Sequence, residues 1–413
     1  MESRVCFVCF KPEHAAVALR NSSGHLTLGT PGPHNRRAAS VDRPILFIRR
    51  VPTIEAIAKG STSDSSPNAA AGSGARSRSV RPEFTGSAAE YFRIWIVNLF
   101  FSVITLGIFS PWAKVRKKKY FYGNTRFDGD TFDYFGNPKA ILKGRVIAVG
   151  VFILYAFASE LWPFARFVFW GIALLLFPWV IVRALAFNAR NSAFRGLRFD
   201  FLASTKDAAW IYIGKLAAAM LTFGLAFPWF MARQKEFVVS HHAFGTTDFQ
   251  CELSAAKFFG IYFRGGLIVV AFSVPSVAMA IALANFESPV DISWLAWSLP
   301  LVFIYSGYIV ANAYIQARTT NLLWTNTSGY GLSFVSSLKA TRLIRLHLGN
   351  IVAAICSAGL LIPWAVIRTL RYRLENFAMI VEAEVVHEAS PKLAGVGAAG
   401  QELGDVFNLD LGV

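Results

Sequence analysis

The chain carries little charge for its length. Only 16% of its 413 residues are Asp, Glu, Lys or Arg, whereas a soluble domain has about 25%. Cysteine and histidine are also scarce, with 4 and 7 residues scattered along the sequence. The lack of charge excludes an ordinary soluble enzyme and a disordered protein, and the lack of cysteine excludes a disulfide-rich secreted scaffold.

Hydrophobic residues take the place of the missing charge. They make up 54% of the chain, and 37 Phe and 11 Trp raise the aromatic share to 15%. The apolar residues form about seven segments of about 20 residues, each long enough to cross a hydrocarbon core of roughly 30 Å. These segments are 94–112, 146–162, 164–182, 209–231, 265–285, 294–315 and 348–367. The sequence therefore predicts an all-α polytopic membrane protein with about seven apolar helices.

Two flanking segments differ in composition from this apolar region. Residues 61–79 are rich in Ser, Gly, Ala and Arg, a linker composition that cannot bury a core. We therefore expect residues 1–83 to form a disordered tail, or a non-native one if the start codon is mis-assigned. Residues 382–413 hold six acidic residues against one basic residue and are expected to form an acidic tail. The membrane domain is expected at residues 84–381.

The net charge of the chain is +16. The lysines and arginines stand at the ends of the apolar segments, where the positive-inside rule and anionic headgroups account for them. This placement predicts a lipid bilayer with anionic headgroups as the partner and no binding to nucleic acid. It leaves open whether the chain forms a homo-oligomer.

A motif recurs five times within the membrane domain. Pro-Trp-x-x-x-Arg occurs four times, and a degenerate copy keeps only its arginine. We call these copies the Trp/Arg units, and their residues are Trp112 and Arg116, Trp179 and Arg183, Trp229 and Arg233, Arg318, and Trp364 and Arg368. A polar residue follows each arginine eight positions later: Asn124, Asn191, His241, Asn326 and Asn376. Five copies in one register indicate duplicated structural units.

The spacing within a unit suggests its structure. Trp, Arg and the polar residue recur at multiples of four, so they share one helix face. Trp is typical of the lipid–water boundary, Arg reaches headgroup phosphate, and Asn is a common C-cap. Short β-like segments follow in the polar loops, each with a Phe expected to face inward: Phe132, Phe199, Phe249 and Phe334. The tryptophans and arginines of the units are therefore the candidate contacts with lipid or anions.

Sequence motifs of catalysis are missing. The chain contains no P-loop, dinucleotide fingerprint, zincin helix or nucleophile elbow. No pairing of a nucleophile with a base recurs with the units. The sequence therefore predicts a protein that is not an enzyme, with no catalytic residue, no cofactor and no metal site.

Several stretches resemble a known family. These stretches are Phe84-Thr-Gly-Ser, Thr105-Leu-Gly-Ile-Phe-Ser-Pro-Trp112 and Tyr120-Phe-Tyr-Gly-Asn-Thr125, together with Leu185-Ala-Phe-Asn-Ala-Arg-Asn-Ser192 and the C-terminal residues 400–412. They are similar to the YjgN-like family of bacterial inner-membrane proteins, which is largely defined by a domain of unknown function. The resemblance covers about residues 84–413. It implies a multi-pass protein of the bacterial inner (cytoplasmic) membrane and transfers no catalytic residue.

Two topologies fit the sequence. If all seven segments span, the second to fourth and the fifth to seventh segments form inverted halves, as in many secondary transporters. This topology leaves the basic loops 233–264 and 318–345 outside, against the positive-inside rule. If the first, fourth and seventh segments are instead re-entrant, every Trp/Arg unit faces the cytoplasm. The sequence alone does not decide between these two.

Two functions follow from the two topologies. Inverted halves predict a transporter-like protein for a small or anionic solute, with a polar site between them. Interfacial units alone predict a structural membrane protein that binds lipid or a partner, without transport or catalysis. The apolar segments contain few Asp, Glu or His, which argues against a carrier coupled to protons or sodium.

Overall fold

The computed structural model describes residues 78–245, 247–286, 293–329 and 332–381. The expected acidic tail and nearly all of the expected N-terminal tail lie outside these residues. The helices are α1 (Ala88–Ile104), α2 (Ser110–Gly123), α3 (Pro138–Leu161), α4 (Ala165–Arg190), α5 (Thr205–Ala209), α6 (Leu216–Leu221), α7 (Phe227–Ser240), α8 (Ala255–Ala284), α9 (Ser293–Thr325), α10 (Ala340–Cys356) and α11 (Ile362–Glu375). A π-helical segment (Trp210–Lys215) joins α5 to α6.

Four of the helices in the described part of the chain are long and apolar enough to cross a membrane: α3, α4, α8 and α9. They contain 24 to 33 residues, which corresponds to about 36–50 Å of helix. At most 28% of the most apolar stretch of each helix is buried inside the protein. Their apolar side chains therefore face outward, as a lipid environment requires.

The other three expected segments are broken into helical hairpins. Hairpin A (88–123) consists of α1 and α2, hairpin B (205–240) runs from α5 to α7, and hairpin C (340–375) consists of α10 and α11. Each has a first arm of 17 residues, a connection of five and a second arm of 14. The arms are about 25 Å and 21 Å long, shorter than the hydrocarbon core of about 30 Å. The expected count of seven spanning helices is not confirmed.

The reason for the breaks lies in the connections. The φ angles of Gly107, Gly224 and Gly359 are +89°, +83° and +89°. Residues with a Cβ atom rarely adopt such positive φ angles, whereas glycine does so at no steric cost. The Gly107 N–H donates to the carbonyl of Ser102 at 2.7 Å, which is the helix-ending bond of a Schellman motif. In all three hairpins this glycine stands four residues before the proline of a Trp/Arg unit.

A hydroxyl completes each connection. The side-chain oxygen of Thr105 accepts the N–H of Phe109 at 2.9 Å, and Thr222 and Ser357 do the same in the other hairpins. Every backbone N–H of the three connections is thereby hydrogen-bonded. The tips are apolar, with Leu106 94% and Phe223 99% exposed. Because no backbone donor is left unpaired, these tips can lie in hydrocarbon.

A Pro-Trp pair alone does not break a helix. Pro178 lies inside the continuous helix α4. The positions four and six residues before it hold Leu174 and Ile172, where the hairpins have Gly and Thr or Ser. The hydroxyl residue and the glycine thus distinguish the re-entrant segments from the spanning one.

Short strands on the connecting segments form two antiparallel sheets. The strands are β1 (Arg78–Val80), β2 (Glu83–Phe84), β3 (Thr125–Phe127), β4 (Asp130–Tyr134), β5 (Ser192–Phe194), β6 (Leu197–Phe201), β7 (His242–Phe244), β8 (Thr247–Asp248), β9 (Gln250–Cys251), β10 (Thr327–Gly329), β11 (Leu332–Ser336) and β12 (Phe377–Val381). One sheet has the order β1-β12-β11-β10-β9 and the other runs in order from β2 to β8. The chain joins the two sheets at both edges, because β1 leads into β2 and β8 leads into β9, and we call the twelve strands together the strand ring.

The strand pairing determines which loops share a side of the membrane. Strand β6 pairs with β7 through Phe199 and Phe244, and β9 pairs with β10 through Cys251 and Thr327. In the seven-span topology the loops 183–207 and 233–264 would lie on opposite sides, so β6 and β7 could not meet. The pairing agrees with the re-entrant topology. It also shows that β1, placed in the expected tail, pairs with β12.

The core of the sheets is aromatic. Phe132, Phe199, Phe249 and Phe334 are all less than 5% exposed, which confirms that the unit phenylalanines face inward. Each lies against a neighbouring aromatic ring, with centroids 4.6 Å apart for Phe132 and Phe194. Aromatic pairs of this kind add about 0.5–1.5 kcal/mol beyond the area they bury. The ring of strands is therefore held from inside by the repeated Phe.

A histidine is buried in this core. His242 Nδ1 donates to the carbonyl of Val238 at 2.6 Å, and its ring contacts Phe201. Burial lowers the pKa of His242 from its ordinary 6.5 to about 4. The matching positions of other units hold Thr125, Ser192 and Thr327, whose hydroxyls donate to the carbonyl four residues earlier.

The first prediction concerns the hairpin hydroxyl. Thr222→Val should lower the free energy of unfolding by about 1–3 kcal/mol, because the Ala226 N–H loses its acceptor in an apolar setting. Thr222→Ser should stay close to the wild type, since Ser357 makes the same bond in hairpin C. Denaturant titration of the full chain in mixed micelles measures both variants. Equal stability of the two would show that the hydroxyl is not needed.

The second prediction concerns topology. Single cysteines at Arg126→Cys, Ser328→Cys and Phe164→Cys, with the four native cysteines replaced, would be tested with an impermeant maleimide in intact cells. Arg126 and Ser328 lie on strands of the same strand ring. The cysteines at these two positions should therefore both be labelled or both be protected. Phe164, at the tip between α3 and α4, should respond in the opposite way. Opposite responses of Arg126→Cys and Ser328→Cys would restore the seven-span topology.

The third prediction concerns pH. Between pH 6.5 and 4 the unfolded chain binds a proton at His242 that the folded chain does not, so stability falls as the pH drops through this range. The loss is on the order of 3 kcal/mol. In His242→Thr this loss should be missing. Parallel pH profiles of the wild type and His242→Thr, measured as free energy of unfolding, would contradict the burial of a neutral imidazole.

Candidate functional site

The proline of each complete Trp/Arg unit anchors it to the protein. Pro111, Pro178, Pro228 and Pro363 are buried. Three of them stand in the first turn of the second hairpin arm, where their missing N–H is not needed. The tryptophan that follows is more open: Trp179 is 41% and Trp364 39% exposed. Each unit therefore presents a half-buried indole at the protein surface.

The arginine stacks on the aromatic residue one turn before it. The Arg183 guanidinium lies 5.7 Å from the centre of Trp179, and that of Arg368 lies 5.0 Å from Trp364. In the degenerate unit, Arg318 lies 5.9 Å from Tyr314. Tyr314 thus occupies the place of the missing tryptophan. Tyr314 was not predicted as part of the unit, although its position four residues before Arg318 matches that of the tryptophans.

Two units depart from this stacking. In hairpin B, Arg233 pairs with Glu236 at 2.6 Å, and Lys215 lies 5.4 Å from the centre of Trp229 instead. In hairpin A, Trp112 stacks on Phe109 and Arg116 is exposed. The five arginines stand on five different helices, and the structure gives each its own local contacts. They do not form one cluster.

The polar repeat positions are C-caps. The side-chain amide of Asn124 donates to the carbonyl of Tyr120 at 2.8 Å. The same bond to the carbonyl four residues earlier is made by Asn191, Asn326 and Asn376, and His241 Nδ1 replaces the amide in its unit. These side chains therefore terminate helices and do not converge on a polar cavity.

Arg190 at the end of α4 and Arg195 between β5 and β6 differ from the unit arginines in how their charge is balanced. Arg190 pairs with Asp200 at 2.6 Å, and Arg195 bonds Asp130 and lies 3.5 Å from Asp128. By contrast, four of the unit arginines form no ion pair with any carboxylate in the described ranges: Arg116, Arg183, Arg318 and Arg368. Their guanidinium groups remain available to an external anion. No group of three or more metal-ligating side chains occurs among the same described residues.

The chain is similar to several proteins that are named as inner membrane proteins. The chain is 31% identical over 131 residues to the inner membrane protein YjgN of Salmonella typhimurium, which covers 31% of this chain and 32% of that protein. It is 32% identical over 134 residues to inner membrane protein YjgN of Escherichia coli O157:H7, with the same coverage. The match thus spans about a third of each relative. No solved structure matches the chain.

A family model covers most of the chain. Residues 79–406 match the family described as bacterial protein of unknown function (DUF898). The matched range contains all five units, the three hairpins and the four spanning helices. The four helices and the named location of the relatives agree on a multi-pass protein of the inner membrane. The chain therefore belongs to the DUF898 family. Its resemblance to the YjgN-like family, predicted from the sequence, is confirmed.

Proposed function

We propose that this protein is a structural, lipid-binding component of the cytoplasmic leaflet of the inner membrane, without transport or catalysis. One observation supports the proposal: the strands that follow all five Trp/Arg units pair within the two sheets, which favours a common side for the units. The three hairpins enter and leave on that side as well. A protein built in this way contacts the two leaflets very unequally.

The charge distribution supports a cytoplasmic location for this side. The run Lys117-Lys118-Lys119 and the unit arginines lie on the side of the strands. On the opposite side, Arg166 is the one basic residue in the sequence near the loops 162–164 and 285–292. The positive-inside rule therefore favours cytoplasmic units. Anionic headgroups of that leaflet attract each nearby Lys or Arg by about 1 kcal/mol.

The unit geometry suits a headgroup phosphate. Stacking on Trp179, Tyr314 and Trp364 holds the guanidinium at the depth of the indole or phenol ring. Aromatic residues with a polar edge settle at the lipid–water boundary. The arginine N–H groups then point to the level of the phosphates and can bond them in pairs.

A transporter is less well supported. That hypothesis depended on inverted halves, whereas strand pairing favours two halves of the same orientation. Each half consists of two spanning helices followed by a hairpin: α3 and α4 before hairpin B, and α8 and α9 before hairpin C. A catalytic role would need converging titratable groups, and the polar repeat positions are occupied in helix capping. The lipid-binding role needs neither feature.

Lipid selectivity tests the proposed function. The full chain would be reconstituted in phosphatidylcholine vesicles, and the association of spin-labelled phosphatidylglycerol and phosphatidylcholine would be compared. The wild type should prefer the anionic lipid severalfold, because about 1 kcal/mol per cation corresponds to about fivefold. The double variant Arg183→Gln/Arg318→Gln should lose much of this preference.

Arg126→Gln is the matched control. Arg126 is an exposed arginine of strand β3 and is not one of the five unit arginines. Its removal changes the net charge but should leave the lipid preference unchanged. Equal association of the two lipids with the wild type, or an equal effect of Arg126→Gln, would contradict the proposed function.

A further inference from the structure

Hairpin C borders a strongly basic cavity that is open to its surroundings, and the arginines in its lining are exposed. Its volume is about 540 Å³, and it lies between the two arms of hairpin C and the start of α1 at Ala88. Four arginines line it: Arg342 and Arg345 from α10, and Arg368 and Arg371 from α11. Glu375 is the one acidic residue in its lining. The lining therefore carries a formal charge of +3.

Three of these arginines are held in place by their neighbours. Arg371 donates to the carbonyl of Gly86 at 2.8 Å. The guanidinium of Arg342 lies 5.6 Å from the ring of Tyr372, whose hydroxyl accepts the N–H of Lys339 at 2.8 Å. Arg368 stacks on Trp364. The donors are thus oriented before any ligand binds, which lowers the entropic cost of binding.

The four arginines form no ion pair with a carboxylate of the described residues. Within the described ranges, none of them is within 4 Å of an Asp or Glu oxygen, although Glu375 borders the same cavity. Like charges brought together in this way repel one another, so the cavity gains stability when an anion enters. Guanidinium groups bind phosphate oxygens through paired N–H donors.

The other hairpins provide an internal comparison. The hairpins share one length, so their positions correspond one to one. Hairpin B has Asp207, Trp210 and Glu236 where hairpin C has Arg342, Arg345 and Arg371. There the unit arginine is already paired, as Arg233 bonds Glu236. The concentration of arginines in hairpin C is thus not required by the hairpin fold.

Hairpin A lies between these extremes. Its matching positions hold Glu90, Arg93 and Lys119, and Glu90 accepts the hydroxyl of Tyr120 at 3.2 Å. Hairpin C has Arg342 at the position that Glu90 occupies in hairpin A, so it lacks an acidic side chain there. Among the three hairpins, hairpin C alone presents four arginines at these positions.

We propose that this cavity binds the phosphate group of an anionic phospholipid headgroup. Trp364 places the cavity at the lipid–water boundary. The neighbouring residues Leu360, Leu361 and Ile362 of the same hairpin are exposed and apolar, which offers a surface for acyl chains. The lipid as the source of the phosphate rests on the proposed function, whereas phosphate binding itself rests on the arginines.

Calorimetric titration of the full chain in uncharged detergent micelles tests the proposal. The probes are dioctanoyl phosphatidylglycerol, dioctanoyl phosphatidylcholine and glycerol 3-phosphate. Phosphatidylglycerol should bind at one saturable site, more tightly than either other probe. Arg345→Gln and Arg368→Gln should each weaken this binding about tenfold. Arg345 has no described contact to lose, so its replacement tests the charge without disturbing the hairpin.

Arg126→Gln again serves as the control and should bind phosphatidylglycerol like the wild type. Unchanged binding in both Arg345→Gln and Arg368→Gln would overturn the cavity as the site. Glycerol 3-phosphate binding as tightly as the lipid would overturn the lipid as the source. The proposed function is tested separately and is contradicted if the wild type in vesicles shows no preference for the anionic lipid. Failure of the cavity and failure of the lipid-binding role can therefore be told apart.

Discussion

The arrangement of this protein depends on hydrogen bonds that close three turns inside apolar surroundings. A chain cannot reverse in hydrocarbon while backbone donors are unpaired, because each one costs several kcal/mol. The hydroxyl of Thr105, Thr222 or Ser357 and a glycine of positive φ remove that cost in each hairpin. As a result, the chain returns to the side it came from. Because the hairpins turn back, we expect the strands that follow them to share one side, together with the Trp/Arg units.

Within this framework, one repeated segment serves different purposes. The capping amides, such as Asn124 and Asn376, end the helices in every copy. The buried phenylalanines join neighbouring copies through the strands. The arginines vary: Arg233 is neutralised by its own helix, whereas Arg368 faces three further arginines. The shared parts of the unit build the fold, and the charges differ from one copy to the next.

The sequence predicts local structure here far better than topology. Spacing within the units correctly indicates the C-caps and the inward phenylalanines, because both depend on residues four or eight positions apart. A hydropathy pattern cannot separate the hairpin A segment from a spanning helix, since both are apolar runs of similar length. The distinguishing signal is the hydroxyl residue and the glycine six and four positions before proline. The cavity of hairpin C escapes prediction because Arg345 and Arg371 belong to different arms, which only the turn brings together.

The hairpins also give the protein an unequal cross-section. In the described part of the chain, four helices are long enough to cross the whole membrane, whereas the six hairpin arms are too short to do so. Each helix with its side chains is about 10 Å wide. Hairpins that re-enter would displace more lipid from the monolayer on the side of the strands than from the other. The abundance of the protein would then couple to the lateral pressure of that monolayer.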